Sequence, residues 1–75
     1  MNFSEYIGQQ MSINNISIEE LRLHCGVSRV SASKWVNGHV LPHVIAWNQI
    51  ADLLSKRSGD PLSQILWEMS KTIPT

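Results

Sequence analysis

The chain has 75 residues, 43% of them apolar, with six basic and six acidic side chains that give a formal charge of zero. That length makes one small domain, able to bury only about 60–65% of its unfolded surface, and the apolar content argues against disorder. No apolar run approaches the roughly 20 residues that span a bilayer, and the start MNFSEYIGQQ lacks the basic-then-apolar order of a secretory signal. One cysteine cannot form an internal disulfide, which makes a reducing cytoplasm the expected setting.

The first predicted helix covers residues 3–13, where Phe3, Ile7 and Met11 recur every four residues with Tyr6 beside them. Ser4 is its expected cap and Asn14-Asn15 its end. Gly8 costs this helix about 1 kcal/mol relative to Ala, which suggests the close approach of another helix. The second helix, about Ile18 to His24, opens on Ser17, and Glu20 stands three residues on, as in a capping box. Leu21 and Cys25 face the core, and Val27 plugs the turn. Cys25 reads as a small buried apolar residue. Gly26 supplies a left-handed stop, and Ser28 opens a third helix over about Arg29 to Asn37. The buried side of that helix is expected to carry Ala32, Trp35 and Val36, leaving Arg29, Val30, Ser33 and Lys34 outside. Gly38 ends it, and His39-Val40-Leu41-Pro42-His43 is a loop.

A fourth helix is expected over 44–56, with Ile45, Ala46, Trp47, Ile50, Leu53 and Leu54 forming a broad apolar surface, and Ser58-Gly59 closing it. Asp60 is the expected cap of a fifth helix over 61–71, with Pro61 at its first position, where a missing N–H costs nothing. Leu62, Ile65, Leu66 and Met69 form its stripe. Trp67 falls off that stripe, so Leu66 and Trp67 are the expected interface of a homodimer; the alternative is that Trp67 folds back onto the first helix. Residues 72–75, with Pro74, read as a frayed tail.

Charge is unevenly placed. Residues 1–20 hold Glu5, Glu19 and Glu20 with no Lys or Arg, whereas residues 21–43 hold Arg22, Arg29, Lys34 and the three histidines with no acid. A basic surplus on two short helices is the electrostatic footprint expected where phosphate lies. His24, Cys25, His39 and His43 lack zinc-ligand spacing, so no metal or cofactor is expected. No nucleophile elbow or carboxylate pair is present, and an enzyme is not expected.

Two short helices joined by a tight turn with Gly describe a helix-turn-helix over about 17–37. The stretch resembles the Cro/phage-repressor (XRE-like) family through Ile16, Ser17, Glu19, Glu20, Leu21, Gly26, Val27, Ser28, Ser33, Trp35, Gly38 and Pro42, all in register. Ile50-Ala51-Asp52-Leu53-Leu54 is similar to the I-A-x-x-L segment of that family. Two positions depart from the pattern: Arg22 stands where the family has a small residue, and Ala32 where it has Ile or Val. Arg22 can lay its methylenes over Ala32 and so conserve volume across the crossing.

The resemblance implies an all-α, lambda-repressor-like domain of five helices whose third helix enters the major groove of double-stranded DNA. It makes Arg29, Val30, Ser33 and Lys34 the expected base contacts, with Arg29 suited to guanine and Val30 to a thymine methyl. Ser17, Arg22, Ser28, Asn37, His39 and His43 are the expected phosphate contacts, the histidines most strongly when protonated. The expected function is a Cro-like repressor that binds a two-fold operator as a dimer. The competing expectation is an interaction protein, an antirepressor or antitoxin, that acts mainly through a protein partner.

Overall fold

A computed structural model describes residues 1–72. Five helices make up an all-α domain: α1 (Phe3–Ile13), α2 (Ile18–Cys25), α3 (Arg29–Val36), α4 (Val44–Ser58) and α5 (Leu62–Ser70). Of the expected tail at 72–75, Thr72 is tied back to α5, its amide and hydroxyl both donating to the Met69 carbonyl at 3.1 and 2.6 Å, and residues 73–75 lie outside the described residues.

The first three helices begin and end by one chemistry. Each opens on a short polar side chain that accepts a free backbone N–H. In α1 that residue is Asn2, not Ser4: Asn2 Oδ1 accepts from the Glu5 amide at 2.8 Å, and Glu5 Oε1 accepts from the Asn2 amide at 3.1 Å. Ser4 lies inside the helix and donates its hydroxyl to Asn2 Oδ1 at 2.9 Å. In α2 the expected box forms between Ser17 and Glu20, and in α3 Ser28 Oγ accepts from the Ser31 amide at 3.1 Å.

Each of these helices then stops on a left-handed residue: Asn15 at φ 56°, Gly26 at φ 67° and Gly38 at φ 78°. The next residue's amide reaches back to close the end, Ile16 to the Met11 carbonyl, Val27 to Arg22 and His39 to Lys34, at 2.8, 3.0 and 2.9 Å. This is the Schellman closure. In α1 and α2 it also returns an apolar residue, Ile16 or Val27, to the core.

Packing follows the apolar spacing. Phe3, Ile7, Leu21, Ile50, Leu54, Ile65 and Met69 are fully buried. α2 packs on both α3 and α4, α1 on α3, and α5 on α4. Phe3 stacks on Trp47 with ring centroids 4.8 Å apart, which pins the start of α1 to α4. A Cβ built on Gly8 meets nothing within 4 Å, so no helix approaches closely there. Ala32 is wholly buried, as its small size permits.

The last two helices differ from expectation at their edges. α4 runs on to Ser58, because Gly59, at φ 83°, is the first residue that leaves the right-handed region. Asp60 does not cap α5; its amide donates to Ser58 Oγ at 3.1 Å and its carbonyl accepts from Ser55 Oγ at 2.7 Å. Pro61 is the cap residue instead, with no side-chain bond. Leu62 is exposed and leaves the stripe to Ile65, Leu66 and Met69.

Arg57 fastens the far end of the domain. From the last turn of α4 it pairs with Glu20 and donates to the carbonyls of Asn14 and Asn15 at 3.1 and 3.0 Å. One guanidinium thus holds the α1–α2 corner and the start of α2. Among the described residues, no helix is long and apolar enough to cross a membrane.

Candidate functional site

The position of α3 follows from its two faces. Ala32 and Trp35 are buried, with Val36 packed against the core, so residues a half-turn away must face outward. Arg29, Val30, Ser33 and Lys34 line one open hollow of about 350 Å³, joined by Asn37 and His39 from the end of the helix. All four residues expected to read bases and two expected to hold phosphate therefore meet on a single surface.

The chemistry of this surface is cationic and partly apolar. Neither Arg29 nor Lys34 forms an ion pair among the described residues, and no acid lines the hollow. Val30 is 64% exposed, an apolar side chain left largely open to solvent beside Arg29 and Lys34. A guanidinium fork, an ammonium, a hydroxyl, an amide and an imidazole can donate to acceptors on a polyanion, while Val30 can meet a methyl group.

The other expected phosphate contacts lie elsewhere. Arg22 is held by Glu19 on its own helix through Nε at 2.9 Å and Nη2 at 2.7 Å. That bond is the chief reason the Glu19 carboxyl sits below its ordinary range and the Arg22 guanidinium above its own. Arg22 is thus neutralised locally and would have to leave Glu19 to reach phosphate. Ser17 and Ser28 spend their oxygens on helix caps, yet both are exposed. His43 lines a second hollow, of about 510 Å³, with Val27, Ser31, Lys34, Trp35, Val40, Leu41 and Ala46. Lys34 belongs to both hollows.

That second hollow was not expected from sequence. Its signal was the pair of apolar dipeptides Val40-Leu41 and Val44-Ile45 on either side of Pro42-His43, of which only Pro42 is buried. A cross-helix cluster was also unforeseen: His24 Nε2 lies 3.1 Å from Asp52 Oδ2, which Lys56 approaches at the same distance. The Asp52–Lys56 spacing of four residues is readable on a helix, but its approach to His24 on α2 depends on tertiary packing.

The expected interface residues separate. Leu66 is partly buried against the core, whereas Trp67 is 62% exposed with Lys71 Nζ 5.2 Å from its ring centroid. Trp67 thus keeps most of its surface open and is not buried against any helix. Cys25 is buried, and burial pushes its thiol up to about 11, which suits a core residue and not a nucleophile. No group of three or more His, Cys, Asp or Glu side chains able to hold a metal occurs among the described residues. No protein-family model, curated protein or solved structure matches this chain.

Proposed function

We propose that this protein is a sequence-specific DNA-binding regulator of the Cro/phage-repressor type, in which α2 and α3 act as a helix-turn-helix. The observation that carries the reading is the convergence of Arg29, Val30, Ser33 and Lys34 on one acid-free, outward-facing hollow at α3. An α-helix fits the major groove, and this helix presents a fork for guanine, a methyl contact for thymine and a cation for either guanine or phosphate. Asn37 and His39 line the same hollow from the end of the helix, which supports their assignment to the backbone that flanks the read bases.

The reading takes the protein as a homodimer in the cytoplasm on double-stranded DNA, without catalysis and without a cofactor. Trp67, exposed and off the packed stripe of α5, is the proposed anchor between copies, with Leu66 at its side. A two-fold dimer reads half-sites about one helical turn apart. Repression by exclusion of polymerase is its simplest action.

Charge reversal tests the assignment: Arg29→Glu and Lys34→Glu each abolish retention of an enriched duplex while the helical circular dichroism is unchanged. Full DNA binding by both variants would remove α3 as the reading helix. Zero net charge and the Val40–Ile45 apolar stretch favour the second reading, a protein that acts mainly through a partner.

A further inference from the structure

We infer that the hollow beside Trp35 is a docking site for a segment of a partner protein that carries a large apolar side chain flanked by Asp or Glu, and that its occupancy excludes DNA. The exclusion half rests on the reading of α3 as the DNA-facing helix.

Three observations lead there. The hollow, at about 510 Å³, falls within the roughly 300–1,000 Å³ of pockets that hold ligands, and its wall is mostly apolar: Val27, Trp35, Val40, Leu41 and Ala46. Apolar surface continues beyond it, because Val44 and Ile45 on the first turn of α4 are 72% and 71% exposed. Exposed apolar residues scattered singly need no explanation, but a run of this kind beside a hollow marks an interaction surface.

Charge then selects the occupant. The ionisable side chains lining the hollow are Lys34 and His43, and no Asp or Glu occurs anywhere from residue 21 to residue 43. An apolar segment bearing carboxylates complements that field; a basic one is repelled, and a neutral one leaves Lys34 unused.

Lys34 makes the two surfaces compete. It lines the DNA-facing hollow with Arg29 and the docking hollow with Leu41. A carboxylate that engages Lys34 from the Leu41 side withdraws a cation from DNA and places negative charge at the edge of the groove-binding face. DNA binding would in this way be switched off by a protein.

The test uses the whole chain and a display library of random dodecapeptides as the probe. Enriched peptides are expected to pair Trp, Phe or Leu with a neighbouring Asp or Glu. Their binding should fall about tenfold with Leu41→Ser, as for an interface anchor, fall more modestly with Lys34→Ala, and be unchanged by Trp67→Ala. The same peptides should displace duplex selected from random pools. Leu41 and Ile45 are exposed, so serine variants should keep the fold, and Ile45→Ser provides a second lesion at the patch.

No enrichment of that motif, or binding indifferent to Leu41→Ser and Lys34→Ala, would overturn the docking site. Conversion of a dimer to a monomer by Leu41→Ser or Ile45→Ser would overturn it too, by giving the patch to a second copy. Peptide and duplex bound together would refute exclusion. Peptide binding with the expected losses, but no duplex enriched from the pools, would support the docking site and refute the DNA reading alone.

Discussion

Arg29 and Arg22 show how one residue type takes different tasks within a single short motif. Arg22 is bound by Glu19 at two nitrogens, whereas Arg29, at the first position of α3, has no carboxylate within ion-pair distance among the described residues. On the proposed reading, only the second is free to pair with a base edge. Arg29→Ala should therefore cost about 1–3 kcal/mol and relax preference at one base pair per half-site. Equal losses on all duplex sequences would reduce Arg29 to a phosphate contact. Asp52 offers a test at the opposite side of α2. Lys56 first, and then His24, holds its carboxyl below the ordinary value of 3.8. A depressed carboxylate contributes stability above its unfolded value and loses it as pH falls through the folded one. The wild-type protein should melt above Asp52→Asn at pH 5, with the gap narrowing as pH falls below 3.8. A gap of constant size across that range would place the effect of the substitution outside this ion pair.

At the scale of the helix, capping chemistry decides the boundaries. The α2 start is legible because Ser17 and Glu20 have the reciprocal spacing of a capping box. The same rule distinguishes Asn2 from Ser4, since Glu5 lies three residues after Asn2, while Ile7 lies three after Ser4 and cannot answer. Asn2→Ala should destabilise by about 0.5–2 kcal/mol, and Ser4→Ala by clearly less, in thermal or urea unfolding; the reverse order would reinstate Ser4. Gly8 gives a second check. With open space around the added methyl, Gly8→Ala should stabilise α1 by about 0.5–1 kcal/mol, and a loss of stability would reveal a constraint on the helix beyond its own propensity. The buried sides of α1 and α2 were legible because apolar residues recur every three or four positions. The hollow beside Trp35 was not, because the loop after Gly38 has no period from which direction can be read. Asp60 misled for a local reason: beside Pro61 it resembles a cap, but Ser55 and Ser58 engage its backbone in a turn.

The whole molecule divides its labour. Arg57 and the Phe3–Trp47 stack hold the helices together away from α3, and the core leaves α3 with one free face. That Arg29, Val30, Ser33 and Lys34 share one outward surface was legible from sequence because burial of Ala32 and Trp35 dictates which side of a helix remains. The exposure of Trp67 was legible by the same argument in reverse, since it is the large aromatic that the α5 stripe cannot use. Trp67→Ala should convert dimer to monomer in sedimentation, and an unchanged mass would move the contact between copies off α5. Zero net charge bears on the central claim: without a large general attraction to phosphate, affinity has to come from the local cations of α3 and from base contacts.

Selection from random-sequence duplex pools at two salt concentrations tests that claim most directly. Enrichment of a two-fold sequence, with affinity that falls steeply as salt rises and is lost in Arg29→Glu, is the predicted result. Weak binding removed by salt, with no sequence enriched, would contradict a DNA-reading α3.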